Sequence, residues 1–175
     1  LLEDGKTLLY VERDGRLAGV LAAADTLRPE VPEALEEVRR FGIRRIELLT
    51  GDAERAAAAL AAPLGIPYRA QLMPDDKIAI VRAYQAQGHR VIMVGDGIND
   101  AAALAAADVG ISLGSGTDVA VHSADVVLVR SNPYDVVSAL RIARSAVGKM
   151  RQNLVWAVGY NVVAIPLAAG VLYES

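Results

Sequence analysis

The alternation of apolar and polar positions predicts an α/β fold for residues 1 to 135. The stretch TLLYVERDGRLAGVLAAA contains two strand-like runs joined at Asp14 and Gly15, residue types that tolerate the positive φ angles of a tight turn. It therefore predicts a hairpin at the start of the sheet. Helical and strand-like segments then alternate along the chain, which indicates a doubly wound sheet of parallel strands connected by helices.

Residues that commonly begin or end helices and strands bound these segments. The stretch RPEVPEALEEVRRFG predicts a helix that starts near a proline and ends near Gly42. Three more helices are expected, at about residues 53–62, at about 75–87 and after Asn99. Strands are expected in RIELLTGD, near residues 68–70, in a run ending at Val94, and near residues 109–111 and 126–129.

The segment near the end of the chain is uncharged and mostly apolar, unlike the α/β region. Residues 152–173, QNLVWAVGYNVVAIPLAAGVLY, include no charged side chain. At about 1.5 Å per residue, a helix of this length can cross a hydrocarbon core of about 30 Å. We predict a transmembrane helix here, with a buried core helix as the alternative.

A basic helix is expected at residues 136–151, directly before the apolar segment. Cationic residues beside a membrane span favour the cytoplasmic side, so the α/β domain is expected to be cytoplasmic. An ordinary solvated helix face would also carry such charges. The residues are Arg141, Arg144, Lys149 and Arg151.

Composition excludes some classes of function. The net charge of −3 argues against a general nucleic-acid binder. The chain has no cysteine, which excludes disulfides and thiolate metal sites within it. The apolar content of 53% with a mean hydropathy of +0.30 agrees with a segment that leaves water.

Polar residues follow the predicted strands where open α/β sheets bind their ligands. Asp96 and Asp100, after VIMV, offer hard oxygen ligands for Mg²⁺. Thr50, Gly51 and Lys77 could hold a phosphoryl group through a hydroxyl, a backbone N–H and a cation. Taken singly, these features have plainer readings: a helix-capping turn with Thr50 or Asp52 as the cap, a solvated lysine, and an Asx-turn loop.

In combination these motifs resemble the phosphorylation domain of P-type ATPases, in the haloacid dehalogenase-like superfamily. The motifs TGD, MPDDK, MVGDGINDAAALAAADVGIS and GTDVAVHSADVVL occur in the family's order and spacing. The resemblance implies Mg²⁺ and ATP as cofactors. It places Mg²⁺ at Asp96 with support from Asp100, and the aspartyl phosphate against Thr50 and Lys77. Catalytic roles are thus expected for Thr50, Gly51, Asp52, Lys77 and Asn99, the last ordering the loop.

The tail KMRQNLVWAVGYNVVAIPLAAGVLY resembles a membrane helix of heavy-metal P-type ATPases, and most of all the copper-exporting B-type subgroup. The resemblance implies a multi-pass protein of the cell membrane that exports copper or silver. Its partners would be the lipid bilayer, the transported ion and the transporter's remaining domains and membrane helices. Tyr160 and Asn161, near the middle of the span, are expected to bind that ion. An interhelical hydrogen bond is the alternative role.

Two departures from the family pattern matter. Ala102 stands where the family usually has proline, which costs the helix start some stiffness but no ligand. The DKTGT motif with the nucleophilic aspartate is absent, so the chain is expected to be a C-terminal piece, inactive unaided.

Two further hypotheses remain. One is a membrane-anchored haloacid dehalogenase-like phosphatase with Asp25 as nucleophile, although Thr26 and Leu27 follow where a second acidic residue is expected. The other is a regulatory domain that binds Mg²⁺ or nucleotide.

Overall fold

The structure is a computed structural model that describes residues 7–23, 26–96, 99–114, 123–130 and 132–169. It divides into two compact units, Leu1–Val136 and Val137–Ser175. Asp25, the nucleophile of the phosphatase hypothesis, lies outside the described residues.

The predicted hairpin is present, formed by antiparallel strands β1 (Thr7–Arg13) and β2 (Arg16–Ala23). Asp14 and Gly15 have φ angles of 54° and 73°, the left-handed region that a tight hairpin turn requires. The hairpin is a two-stranded sheet of its own. The expectation that it begins the parallel sheet is therefore wrong, because alternation specifies a strand's apolar face but not the sheet that the strand joins.

Helices and short parallel strands alternate through the rest of the first unit, which confirms the α/β class. The strands β3 and β4 pair with each other, and β5, β6 and β7 form a three-stranded sheet in that order. Among the described residues, the hydrogen bonds thus define two parallel sheets. The elements are α1 (Val31–Arg40), β3 (Leu48–Leu49), α2 (Glu54–Ala61), a 3₁₀ turn (Ala62–Leu64), β4 (Tyr68–Arg69), α3 (Pro74–Ala86), β5 (Ile92–Gly95), α4 (Ala101–Ala106), β6 (Val109–Leu113) and β7 (Val126–Leu128).

Helix α4 packs closely on β5 and β6 and forms the core next to the predicted site. Met93, Ala103 and Leu104 are buried together, with Ile78 of α3 packed against them. A Cβ atom on Gly110 of β6 would lie 2.6 Å from the carbonyl oxygen of Leu104, so only glycine allows this approach. The position of α4 is thus fixed against the sheet, and with it the position of Asp100 at the helix start.

An aspartate between α4 and β6 fixes the start of β5. The carboxylate of Asp108 accepts hydrogen bonds from the Val91 N–H at 3.0 Å, Gln85 Nε2 at 3.1 Å and Arg90 Nη1 at 3.1 Å. The Val91 N–H is the main reason that the pKa of Asp108 is below its usual value. Asp125 acts similarly on β6, since its Oδ2 accepts a hydrogen bond of 2.8 Å from the Gly110 N–H.

The last helix, α5 (Tyr134–Ala168), runs for 35 residues and includes Pro166. Sequence analysis divided this region into a basic helix at 136–151 and a membrane span at 152–173, whereas the structure has one continuous helix through residue 168. Residues 170–173 lie outside the described part. Among the described residues no helix combines the length and apolar character needed to cross a bilayer, so the transmembrane helix stays a prediction.

Candidate active site

The residues predicted for the phosphoryl site follow the carboxyl ends of parallel strands. Thr50, Gly51 and Asp52 come directly after β3, and Asp96 comes directly after β5. Lys77 lies in the first turns of α3, and Asp100 is the N-cap residue of α4. The two parallel sheets thus each contribute a set of polar residues.

Thr50 and Asp52 form a closed turn. The Thr50 hydroxyl donates to Asp52 Oδ2 at 2.6 Å, and the Asp52 N–H donates to Thr50 Oγ1 at 3.1 Å. The N-cap of α2 is Ala53, and no side-chain hydrogen bond caps that helix. The helix-capping reading of this turn is therefore wrong, and the side chains order a loop at the sheet edge instead.

Backbone hydrogen bonds hold this turn against the segment that leads into α3. The Leu72 N–H donates to the Thr50 carbonyl at 3.0 Å, and the Gln71 N–H donates to the Asp52 carbonyl at 2.8 Å. A Cβ atom on Gly51 would lie 3.2 Å from the Leu72 carbonyl oxygen, a tight contact that favours glycine there. The position of the TGD turn is therefore coupled to the start of α3.

Lys77 and Asp100 form a buried ion pair. Lys77 Nζ lies 2.6 Å from Asp100 Oδ1, and Lys77 is only 8% exposed. The reading of Lys77 as a solvated surface lysine is therefore wrong. Asp76 stabilises the start of α3, the helix that carries this lysine, because its Oδ2 accepts a hydrogen bond from the N–H of the N-cap residue Met73 at 2.9 Å. A buried cation within reach of a strand end is suited to hold negative phosphoryl oxygens.

Gly95 makes room for the Asp100 carboxylate. A Cβ atom at this position would lie 2.5 Å from Asp100 Oδ2 and 2.8 Å from its Cβ. The side chain of Asp100 therefore lies directly over the last residue of β5. Asp100 makes no capping hydrogen bond to its own helix. Its carboxylate instead contacts the end of β5 and pairs with Lys77.

The donor set at the end of β5 fits Mg²⁺. This ion commonly uses one or two protein carboxylates and keeps several waters, and Asp96 and Asp100 would supply two hard oxygen ligands at the end of β5, where the Asp100 carboxylate lies over Gly95. Within the described ranges no group of three or more acidic or histidine side chains could hold a metal. Asn99 is exposed next to Asp100, and Gly97 and Ile98 lie outside the described residues.

The structure brings the predicted residues together in two pairs. Between the described residues, no hydrogen bond or ion pair joins Thr50 or Asp52 to Lys77 or Asp100. The link between the pairs is the chain segment from Gln71 to Lys77. Tyr160 and Asn161 lie on α5 in the other unit and are exposed.

Sequence reasoning missed two aspartates that fix the starts of β5 and β6, Asp108 and Asp125, and it missed Ser112, which pairs in register with Gly95 at the site. A repeated signal could have revealed the two aspartates, since each stands between an alanine and the first valine of a strand, in ADVG and ADVV. Ser112 is the polar residue within the otherwise apolar strand VGISL.

Comparison with known proteins agrees with this architecture. The family model described as haloacid dehalogenase-like hydrolase matches residues 1–108, and a second model with the same description matches residues 78–140. The chain belongs to the haloacid dehalogenase-like hydrolase family.

Curated relatives in this family are similar to nearly the whole chain. The chain is 48% identical over its whole length to the copper-exporting P-type ATPase B of Archaeoglobus fulgidus, and 48% identical over 96% of its length to that of Enterococcus hirae. It spans about a quarter of the length of these curated relatives, 25% and 23%.

Two solved structures are also similar. A zinc-transporting PIB-type ATPase matches 97% of this chain, with 28% of its own length covered, a TM-score of 0.80 and 38% identity. The catalytic domain of the CPx-ATPase CopB-B matches 77% of this chain, with 58% of its own length covered, a TM-score of 0.62 and 32% identity.

Proposed function

We propose that this chain forms the magnesium-binding and phosphoryl-contacting part of an ATP-driven heavy-metal transporter that exports copper or silver. The observation that carries the proposal is the buried Lys77–Asp100 pair at the end of β5, next to Asp96. The copper-exporting relatives named above, 48% identical, support the choice of transporter class. The remaining domains and membrane helices would belong to the same longer protein.

The reaction would pass through an aspartyl phosphate whose nucleophile lies in another part of the longer protein. An aspartate oxygen attacks the γ-phosphorus of ATP, the bond to the bridging oxygen breaks, and ADP leaves. Water then hydrolyses the acyl phosphate to release inorganic phosphate. Magnesium, when bound, would neutralise charge on the phosphoryl oxygens.

The residues of this chain would each contribute by position and charge. Asp96 and Asp100 would hold the metal, with the Asp100 carboxylate oriented by Lys77. The Lys77 cation also lies where it can attract phosphoryl oxygens. Thr50 and the Gly51 N–H would donate hydrogen bonds to the same group once the Thr50 hydroxyl turns away from Asp52. Asn99 would order the loop between the two acidic residues.

Phosphorylation of the longer protein tests this proposal. We expect the purified protein to form an acid-stable phosphoprotein from ATP, to require Mg²⁺ for it, and to hydrolyse ATP faster with copper or silver. Asp96→Asn keeps the side chain's size but removes a charged ligand, so the phosphoprotein level should fall at least about tenfold. A variant that phosphorylates like wild type would contradict the assignment of Asp96, and a wild-type protein without phosphoprotein would contradict the function.

We also propose that residues 152–173 cross the membrane and that the α/β unit is cytoplasmic. In the described part of this segment, apolar side chains such as Leu154, Val155 and Trp156 are largely exposed, with Trp156 at 71%. Exposed apolar side chains along an uncharged helix are suited to lipid or to neighbouring membrane helices. The basic residues that precede the segment favour the cytoplasmic side for the α/β unit.

Tyr160 and Asn161 would contribute to the path of the transported ion. Both are exposed on α5 near the middle of the uncharged segment, where polar groups are costly unless they serve a bundle interior or an ion. Pro166 lacks the N–H that would bond the Val162 carbonyl, so a third polar group lies beside them. Oxygen and nitrogen ligands suit copper or silver poorly by themselves, so softer ligands would come from the longer protein.

Metal binding by the longer protein tests this ion site. Asn161→Ala and Tyr160→Phe should lower the stoichiometry of bound copper or silver and the metal stimulation of ATP hydrolysis, while phosphorylation by inorganic phosphate stays near wild type. Asn153→Ala, the same kind of change near the start of the segment, is the matched control and should bind metal normally. Normal metal binding by Asn161→Ala, with a less stable membrane domain, would instead establish an interhelical hydrogen bond.

A further inference from the structure

Ser112 of β6 is fully buried, and its hydroxyl has no hydrogen-bond partner among the described residues. A serine hydroxyl can donate one hydrogen bond and accept two, and buried polar groups in folded proteins nearly always find a partner. A buried hydroxyl on the strand next to the proposed site therefore points to a partner within that site. The location of Ser112 identifies this partner.

Ser112 lies one strand across from the residue that the Asp100 carboxylate covers. In the parallel pairing of β5 and β6, Ser112 is the register partner of Gly95, whose own Cβ position is taken by Asp100 Oδ2. Register partners on neighbouring strands face the same side of a sheet, and the strands are about 4.8 Å apart. Ser112 thus points toward the layer that holds Asp100, one strand across from it.

The contacts of helix α4 identify the side of the sheet that Ser112 faces. Gly110 is two residues before Ser112 on the same strand, so both face the same side, and the Cβ position of Gly110 contacts Leu104 of α4. Asp100 is the N-cap residue of the same helix. Ser112 and the open side of Gly95 therefore face the side of the sheet that α4 covers, near its N-cap residue Asp100.

One carboxylate oxygen of Asp100 accepts a hydrogen bond from a described residue, and the other does not. Oδ1 takes the hydrogen bond from Lys77 Nζ at 2.6 Å, whereas Oδ2 lies over Gly95 and accepts no hydrogen bond from any described residue. We propose that Ser112 is a positioning residue for Asp100: its hydroxyl donates to the second carboxylate oxygen when the site binds Mg²⁺. Lys77 and Ser112 would then fix both oxygens of the carboxylate. This inference rests on the proposed function, because it concerns the same magnesium site.

The longer protein and its Ser112→Ala variant provide the test, with Mg²⁺ alone as the probe. We measure the unfolding temperature across a Mg²⁺ titration and, separately, the Mg²⁺ concentration for half-maximal phosphorylation. Loss of a donor that supports a metal-binding carboxylate weakens metal affinity, so both half-saturating concentrations should rise roughly tenfold. Ser123→Ala, a half-buried serine before β7, is the matched control and should keep the wild-type values.

The metal-free unfolding temperature separates this role from a structural one. If the Ser112 hydroxyl has no partner in any state, alanine removes an unsatisfied buried group, and the variant should be as stable as wild type or more so, with unchanged Mg²⁺ dependence. That result overturns the proposal, as does a loss of stability without a change in Mg²⁺ dependence. A wild-type protein that shows no response to Mg²⁺ overturns the proposed function itself.

Discussion

Lys77→Met is expected to slow phosphoprotein formation by the longer protein about 10²- to 10³-fold, the usual effect on rate of removing one preorganised donor from a charged transition state. Methionine has nearly the length of lysine and keeps its apolar stem, so only the cation is lost. The variant should also be less stable by about 3–5 kcal/mol, because Asp100 becomes an unpaired carboxylate in a mostly buried place. Phosphorylation from radiolabelled ATP and unfolding by denaturant measure the two effects.

A double variant separates stability from chemistry. Lys77→Met combined with Asp100→Asn leaves no unpaired buried charge, so most of the lost stability should return while phosphorylation stays low. Arg82→Met is the matched control, because Arg82 is an exposed cation on the same helix and its loss should change the unfolding free energy by no more than about 0.5 kcal/mol. Wild-type phosphorylation by Lys77→Met would show that the ion pair only supports the fold.

The parallel strands of the fold could be predicted because their apolar runs are short and are bounded by glycine and polar residues. The run VIMV before Gly95 predicts a buried strand ending at the site, and β5 does span Ile92–Gly95. Its burial was predicted wrongly, because Met93 is buried but Ile92 and Val94 are 37% and 38% exposed. The hairpin was predicted equally well from Asp14 and Gly15. Its independence from the parallel sheets was not, because strand pairing over long sequence distance depends on tertiary packing that alternation does not encode.

The candidate site was only partly predictable for a related reason. The strand-end rule selects Asp96 and Asp100, but the pairing of Lys77 with Asp100 joins residues 23 positions apart and depends on how α3 packs on α4. The structure shows that Gly95 leaves space for the Asp100 carboxylate, a contact that the motif MVGDG alone does not reveal. Ser112 was passed over because its orphaned hydroxyl becomes visible only when the register of β5 and β6 is known.

Gly95→Ala is expected to reduce phosphorylation by about 10²-fold, the effect that a displacement of about 1 Å can have on a reacting group. The added methyl would lie 2.5 Å from Asp100 Oδ2 and 3.0 Å from its Cγ, far inside contact distance. Gly95 does not have a positive φ, so alanine strains no backbone angle, and the whole effect falls on the carboxylate. Asp100 must turn away from β5, which pulls it from Lys77 and from the proposed magnesium site.

The stability cost of Gly95→Ala should be smaller than its catalytic cost, about 1–3 kcal/mol, because an overpacked site relaxes by moving one side chain. Gly19→Ala is the control, since that glycine also lies in a strand but nothing lies within 4 Å of its Cβ position. Its phosphorylation should equal that of wild type. Gly95→Ala should further require a higher Mg²⁺ concentration for half-maximal phosphorylation, which a loss of folded protein alone would not produce. Full activity of Gly95→Ala at the wild-type Mg²⁺ concentration would show that the position of Asp100 over β5 has no part in the reaction.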